Sequence, residues 1–217
     1  MEFGISKWEF QCLGFVYLSF QKVTLAPIVE EILLCSIARN EAITQKIETN
    51  SGLKLQKMTI RKGTKEDMPA VLSLIQELAA FEKEPDAVVI TVSDLERDGF
   101  GPNPLFYTFV AEVSAGKTGK RIVGMALYYY RYSTWRGKTI HLEDLIVTEE
   151  MRAFGYGFQL YAAVIEQAKK DNVRRVEWAV LNWNKPAIDF YERSGAKILL
   201  DWRVAQMDEV GIENFGK

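Results

Sequence analysis

The stretch LIVTEEMRAFGYGFQL, residues 145–160, passes from a β-branched apolar segment through an acidic turn into two glycines and then an apolar helix pattern. Gly155 and Gly157 stand where the helix begins, so no bulky side chains cover its first unpaired backbone N–H groups. The helix dipole adds positive charge at this point, and such helix starts bind phosphate. Arg152 can add a cationic contact to the same anion. The stretch therefore predicts a strand, an anion-binding turn and a helix in succession.

A second interpretation of the glycine turn stays open on these residues alone. Gly155 and Gly157 could merely relax a tight connection between strand and helix. Other phosphate motifs fit less well, because a Rossmann fingerprint requires a third glycine where Leu160 stands. A P-loop requires Gly-x-x-x-x-Gly-Lys-Ser/Thr. The sequence has Gly-Lys-Thr at 116–118 and at 137–139, but Ala111 and Tyr132 stand where the first glycine would be.

Strand and helix patterns alternate on both sides of the turn, which predicts an α/β domain. Segments rich in β-branched and aromatic residues predict an opening strand and an antiparallel meander: 58–63, 105–113, 121–130 and 138–147. A helical crossover then leads to strand 173–180, which should lie parallel to 138–147. Further helices are predicted after Thr64 and from about Asn184 to Ser194, the latter ending at Gly195.

Composition limits the compartment and the partners that we expect. The chain has 217 residues, 48% of them hydrophobic, and a formal net charge of -2, so no basic field attracts nucleic acid or anionic lipid. No apolar run reaches the roughly 18–20 residues of a membrane span. The two cysteines, Cys12 and Cys35, are too few for a disulfide framework and indicate a reducing compartment. We therefore predict a cytoplasmic protein with no nucleic-acid and no membrane partner.

A domain boundary is predicted near Met58, where a linker-like stretch gives way to the opening strand. Residues 58–217 contain all the strands and helices of the predicted α/β domain. Residues 1–57 are predicted to be an N-terminal extension. It is either an appended segment, which could be disordered, or sequence upstream of the native start.

The spacing Arg152-x-x-Gly155-x-Gly157 after LEDLIV resembles the acetyl-CoA signature of the GNAT superfamily of N-acetyltransferases. Further segments resemble the diamine (spermidine/spermine) acetyltransferases in the same order: LIQELAAFE (74–82), DLERDGFGPNP (94–104), VAEV (110–113), IVGMALYYY (122–130) and NWNKPAIDFYERSGA (182–196). The resemblance covers about 58–205. It implies the GNAT fold, a central mixed and mostly antiparallel sheet flanked by helices, with an acetyl-CoA-binding strand, turn and helix.

The resemblance also implies which residues hold acetyl-CoA. The pantetheine arm would pair with backbone groups of the LIV strand, the pyrophosphate would rest on the turn, and an asparagine would contact the cofactor: Leu145, Ile146, Val147; Arg152, Ala153, Phe154, Gly155, Tyr156, Gly157, Phe158; Asn184. Two positions depart from the pattern. Ala153 replaces a glycine, which is tolerable if its φ stays negative, and the benzyl group of Phe158 could crowd the phosphates. Reduced cofactor affinity is therefore expected.

The catalytic assignments follow from the same resemblance. An amine attacks a thioester only when unprotonated, and the departing thiolate must gain a proton. Tyr191 matches the family's general acid, although packing alone would also explain a tyrosine there. Glu143 is expected to accept the amine proton, through water. Successive strand residues face opposite sides, so Asp144 is expected to be structural or at an interface, and His141 to be a packed strand residue.

The acceptor site is assigned by resemblance as well. Phe81 and Glu82 match an aromatic and acidic pair that contacts polyamine, although Glu82 could equally be a solvated helix end. Ser133 replaces an acid that relatives use for the acceptor. The sequence thus predicts an acetyl-CoA-dependent N-acetyltransferase acting on a small diamine, polyamine or lysine-like amine. The alternative is a catalytically weak GNAT-fold protein that binds acyl-CoA or regulates. Relatives imply a homodimer, and no metal is expected.

Overall fold

The computed structural model describes residues 58–114 and 119–217. The extension predicted for residues 1–57 lies outside the described residues, so the boundary at Met58 stays a prediction. The described residues form one five-stranded sheet in sequential order. Its strands are β1 Met58–Lys62, β2 Tyr107–Ser114, β3 Lys120–Ser133, β4 Gly137–Val147 and β5 Val176–Glu177.

The strand directions agree with the predicted meander and crossover. β1 to β4 pair antiparallel with their neighbours, and β5 lies parallel to β4. β5 is much shorter than the predicted strand 173–180, because it pairs with β4 only at Ile140 and His141. No other described strand covers that side of β4. Its edge from Leu142 to Val147 therefore keeps backbone groups that no strand in the described chain satisfies.

Helices cover both faces of the sheet. The described helices are α1 Met68–Phe81, α2 Val92–Phe100, α3 Tyr156–Lys170, α4 Lys185–Arg193 and α5 Glu209–Asn214. α1 and α2 bury one apolar cluster against the sheet, around Met68, Val71 and Leu95. α3 and α4 bury a second cluster, around Leu160, Val164 and Tyr191. The α/β layers follow from these apolar stripes.

The predicted start of the first helix at Thr64 is a short 3₁₀ turn, Lys65–Asp67, that continues into α1. The Asp67 carboxylate accepts a hydrogen bond from the Thr64 backbone N–H at 2.8 Å and pairs with the Arg61 guanidinium at 2.6 Å. Arg61 also reaches the Glu112 carboxylate at 2.8 Å. One guanidinium on β1 thus ties the start of α1 to β2.

A β-bulge interrupts β4 beside the predicted catalytic carboxylates. Leu127 of β3 pairs with Asp144, whereas the next residue, Tyr128, pairs with Leu142, so Glu143 has no partner on β3. An extra residue in one strand shifts the alternation of its side chains. Asp144 consequently shares a face with His141, and also with Ile146, which packs in the cluster beneath α1.

Candidate functional site

The glycine turn lies between β4 and α3, as the sequence predicts. A 3₁₀ turn, Glu149–Met151, follows β4, and Gly155 caps α3 with a left-handed φ of 80°. A side chain on Gly155 would strain this conformation. At Gly157, by contrast, an added Cβ would meet only Val147 Cγ2, at 3.9 Å. The backbone conformation of the turn therefore requires glycine at position 155 but not at position 157. Because neither position carries a side chain, the start of α3 is open to an anion.

Ala153 does not have the negative φ that would make an alanine tolerable in this turn. Its φ is 67°, in the left-handed region, so the condition of a negative φ is not met. A left-handed alanine costs roughly 1–2 kcal/mol because its Cβ approaches the following carbonyl oxygen. The glycine that the family has here would adopt this backbone freely, and the substitution stores strain at the turn.

Arg152 extends toward α1 from the end of β4. Its Nε donates a hydrogen bond to the Val147 carbonyl oxygen at 3.0 Å. Its guanidinium lies 5.5 Å from the centre of the Phe81 ring and 3.8 Å from a carboxylate oxygen of Glu77. In this arrangement Arg152 joins the predicted phosphate turn to Phe81, the aromatic residue of the predicted acceptor site.

Two exposed phenylalanines flank the start of α3. Phe154 stacks near Tyr156, with ring centroids 5.9 Å apart, and Phe158 lies on the first turn of the helix with 40% of its surface exposed. The exposed benzyl group of Phe158 buries little apolar surface, and it lies on the turn of α3 that carries the first unpaired backbone N–H groups. Its effect on phosphate binding stays a prediction.

The open edge of β4 gives the remaining cofactor assignments a physical basis. Leu145, Ile146 and Val147 lie beyond the two residues of β4 that pair with β5. Their side chains alternate between the two apolar clusters, which fixes the strand in place. An extended amide-containing chain can hydrogen-bond to such an edge in the manner of an added strand. These residues therefore fit a pantetheine arm.

Tyr191 and Asn184 both belong to α4. Asn184 caps the helix, its Oδ1 accepting a hydrogen bond from the Ala187 backbone N–H at 3.3 Å. Tyr191 is buried against Tyr161, Phe190 and Trp178, the last with ring centroids 4.7 Å away. Burial, followed by the neighbouring Tyr161, raises the pKa of Tyr191 to about 12. The phenol therefore keeps its proton at neutral pH, as a general acid must.

Asp144 lies close enough to two other carboxylates, Glu82 and Glu143, for their charges to act on it. Glu82 follows the last residue of α1, Glu143 stands on the bulge, and Asp144 follows it. Burial raises the pKa of Asp144 to about 6, and the negative charges of Glu143 and Glu82 add to the effect. Burial also raises the pKa of Glu82. Raised carboxylate pKa values mark places where a base works near neutral pH.

The expectation that alternation separates Glu143 from Asp144 is wrong. His141 shares a face with Tyr129, its partner on β3, and Asp144 shares that face because the bulge shifts the register. Glu143 lies 3.5 Å from His141 Nε2, on the same side. Sequence reasoning counted residues along a regular strand, and no signal in LEDLIV marks the extra residue. Asp144, set aside as structural, is therefore part of the acidic group.

An aromatic pair stands beside the acidic group, and one member was missed by sequence reasoning. Phe81 and Trp183 have ring centroids 5.5 Å apart, and each retains about 40% of its surface. Lys83 Nζ lies 5.1 Å from the Trp183 ring centre. Aromatic faces attract cations, so the pair suits an amine substrate. Ser133 instead serves the β3–β4 turn, where its Oγ accepts a hydrogen bond from the Arg136 N–H at 3.2 Å.

Within residues 58–114 and 119–217, no group of three or more His, Cys, Asp or Glu side chains is arranged to hold a metal ion. None of the helices in these ranges combines the length and the apolar character needed to cross a bilayer.

Comparison with known proteins identifies the family. The sequence model of the Acetyltransferase (GNAT) family matches residues 72–196. Thialysine N-epsilon-acetyltransferase of Sus scrofa is 41% identical over 145 residues, which are 65% of this chain and 85% of that protein. Spermidine/spermine N(1)-acetyltransferase-like protein 1 of Homo sapiens is 40% identical over 139 residues, 63% of this chain, but the match spans only 20% of that protein.

Solved structures support the fold alone. An aminoglycoside acetyltransferase, meta-AAC0020, from an uncultured soil metagenomic sample superposes with a TM-score of 0.58 at 19% identity, over 70% of this chain and 97% of that one. The aminoglycoside N-acetyltransferase AAC(6')-Iy, solved in complex with CoA, gives a TM-score of 0.55 at 18% identity, over 72% and 97%. The chain has the GNAT fold and belongs to the GNAT family of acetyltransferases, whose acyl donor is acetyl-CoA.

Proposed function

We propose that this chain transfers the acetyl group of acetyl-CoA to a primary amine of a small diamine, polyamine or lysine-like molecule. Family membership makes it an acetyl-CoA-dependent amine N-acetyltransferase. Two relatives are named thialysine N-epsilon-acetyltransferase and spermidine/spermine N(1)-acetyltransferase-like protein 1. The observation that carries the choice of acceptor is the group of three carboxylates, Glu82, Glu143 and Asp144, with raised pKa values at two of them. Such a group attracts a molecule with more than one positive charge.

Acetyl-CoA would supply an acetyl group activated as a thioester. The open backbone edge of Leu145–Val147 would hold its pantetheine arm, and the turn from Arg152 to Phe158 would hold its phosphates. The Asn184 side chain uses its oxygen as a helix cap, which leaves its amide N–H groups as donors. The chain thus offers hydrogen-bonding groups of the kinds that the amide and phosphate parts of the molecule need.

The three carboxylates have different proposed roles toward the acceptor amine. Glu143, exposed on the bulge, remains our candidate to accept the amine proton, and Asp144 is a second candidate because its pKa of about 6 places it near the working pH. Glu82 would anchor a second positive charge of the acceptor. Phe81 and Trp183 would line its apolar stem and face its cation.

Tyr191 would donate the proton that the departing thiolate needs. With a pKa raised to about 12, its hydroxyl is neutral and carries a proton throughout the physiological range. The ring is fixed by Trp178 and Phe190, so little side-chain entropy is lost when the hydroxyl meets its acceptor. Tyr191 and Val147 belong to the same apolar cluster, which links the proposed acid to the proposed cofactor strand.

We also propose that the protein is a cytoplasmic homodimer. The C-terminal part of the chain supports assembly, because it exposes a run of large apolar side chains: Leu199, Leu200, Trp202, Val204, Met207, Val210, Ile212 and Phe215. Exposed apolar side chains concentrated in one segment favour an interaction site. The scarcity of cysteine supports the reducing compartment. Size-exclusion chromatography with light scattering would contradict the dimer if only monomer eluted at micromolar concentration.

The acceptor class is tested by following thiol release from acetyl-CoA with a panel of amines. We expect turnover with a short diamine and with a lysine-like amine, and much slower turnover with a monoamine of equal length. Equal rates for the diamine and the matched monoamine would overturn the acidic acceptor site. Absence of turnover with every amine, together with tight acyl-CoA binding, would favour the regulatory alternative, which neither of the two named relatives supports.

A further inference from the structure

His141 is the single histidine of the chain and stands on β4 between two charged groups. Its Nδ1 lies 3.1 Å from Nη1 of Arg131, and its Nε2 lies 3.5 Å from a carboxylate oxygen of Glu143. The ring packs against Tyr129, with centroids 5.2 Å apart, and the side chain retains only 17% of its surface. The imidazole is therefore held on three sides.

The contact with Arg131 decides which ring nitrogen carries the proton. A guanidinium is always protonated and only donates hydrogen bonds, so Nδ1 must be the acceptor. Nε2 then carries the hydrogen in the neutral ring and faces Glu143. Burial, with help from the Arg131 cation, lowers the pKa of His141, while Glu143 and Glu177 oppose that effect. The neutral form with hydrogen on Nε2 is thus the form favoured at neutral pH.

Glu143 has reason to need such support. It is the unpaired residue of the bulge, and about half of its side chain is exposed, so the strand alone does not fix its carboxylate. Tyr129, the partner of His141 on β3, is one neighbour, because burial and then Glu143 raise the pKa of its phenol. His141 is the other neighbour, with its Nε2 3.5 Å from a carboxylate oxygen of Glu143.

We propose that His141 is a positioning residue: Arg131 fixes its tautomer, and its Nε2–H holds the Glu143 carboxylate in place to receive the amine proton. The proposal rests on the proposed function and assigns to His141 and Arg131 a role that the chemistry of the carboxylates alone does not require. The Arg131 guanidinium is itself held by Glu177 at 3.0 Å, and Glu177 is held by Arg175 at 2.9 Å. A charged chain across β3, β4 and β5 therefore supports the base.

A single histidine makes the tautomer directly measurable. In the full chain without a histidine tag, ¹⁵N-labelled histidine gives one imidazole, whose nitrogen shifts report the protonated atom and the pKa. We expect hydrogen on Nε2 at neutral pH and a pKa below 6.5. Arg131→Met should raise that pKa and Glu143→Gln should lower it. Hydrogen on Nδ1, or a pKa indifferent to Glu143→Gln, would overturn the proposal whether or not the chain is active.

Kinetics separate positioning from mere packing. His141→Phe keeps the ring contact with Tyr129 but removes the donor, and we expect kcat to fall about tenfold or more, with the KM for acetyl-CoA unchanged. His141→Gln places an amide N–H near the position of Nε2 and should restore most of kcat. Arg121→Gln is the matched control, since Arg121 is a similarly exposed arginine of β3 that pairs with Glu150 and not with His141. Equal losses in the Phe and Gln variants would reduce His141 to a packing role.

The pH profile gives a second kinetic readout. Removing the Arg131 cation in Arg131→Met raises the pKa of His141, so the imidazolium should form at higher pH and weaken Glu143 as a base. The acidic limb of kcat/KM should then move to higher pH, and this movement should vanish when His141→Gln is added. A limb that moves equally in both backgrounds would contradict the coupling. An inactive wild type would instead refute the proposed function, while the tautomer measurement would still decide the geometry.

Discussion

Replacing Asp144 with asparagine should stabilise the protein at neutral pH and lower its activity. Asp144 is half-buried beside Glu82 and Glu143, and its pKa rises from an ordinary 3.8 to about 6. The difference corresponds to about 3 kcal/mol by which ionising Asp144 costs the folded state more than the unfolded chain. Partial exposure screens some of this cost, so we expect Asp144→Asn to gain about 1–2 kcal/mol of unfolding free energy.

The gain should depend on pH in a defined direction. Below about pH 3 the carboxyl is protonated in both states, so the charge contributes no difference between wild type and variant. As pH rises from about 4 through the folded-state pKa of about 6, the unfolded chain loses the proton while the folded chain still keeps it, and the stability of the wild type falls relative to the variant. Above about pH 7 the difference should be constant.

Urea unfolding of both proteins at a series of pH values measures this difference. Glu143→Gln is the matched control: Glu143 is exposed and its charge is solvated, so its removal should change stability much less. For Asp144→Asn, kcat should fall by about 10–10²-fold if the carboxylate takes part in proton transfer. A variant that is less stable than the wild type at pH 8, or a gain that is the same at every pH, would refute the burial argument.

Other variants test the remaining assignments. Tyr191→Phe keeps the ring contacts, so stability and acetyl-CoA affinity should change little, whereas turnover should fall by about 10²–10⁴-fold. Near-normal turnover would show that Tyr191 serves only packing. Phe158→Ser should tighten acetyl-CoA binding about threefold in calorimetry if the benzyl group crowds the phosphates, and unchanged affinity would remove that concern. Ala153→Gly relieves a left-handed φ but loosens the unfolded chain, so we expect a net stabilisation of about 0.5 kcal/mol by thermal unfolding; destabilisation would show that the turn does not need glycine. Glu82→Gln should raise the KM of a diamine by up to about fivefold more than that of a matched monoamine, and added salt should shrink the effect; equal changes for both amines would argue against an anchor.

Local sequence patterns were sufficient for most of the fold. The meander, the crossover and the parallel placement of β5 beside β4 follow from period-2 and period-3.6 patterns separated by turn residues, and all three are present. The helix Val92–Phe100 was not predicted, although Thr91 and Asp94 form a capping box at its start. That signal was available in the sequence and could have been used.

The turn between β4 and α3 marks the limit of residue-by-residue reasoning. The spacing of Arg152, Gly155 and Gly157 led to the correct family and acyl donor. It did not give the positive φ of Ala153 or the contact between Arg152 and Phe81. Backbone dihedrals in a tight turn depend on how the flanking strand and helix are joined, and that geometry is not encoded by spacing alone.

The acidic site was decided by tertiary structure. The sequence supplied Glu82, Glu143 and Asp144 and the family in which such residues meet amines, but regular alternation put Asp144 on the wrong side of the strand. A single unpaired residue on β4 reverses that alternation, and Trp183, Phe81 and Glu82 come from segments about a hundred residues apart. Side-chain type fixes which charges and rings exist, whereas burial and mutual distance fix their pKa values, and only the folded chain sets those two quantities.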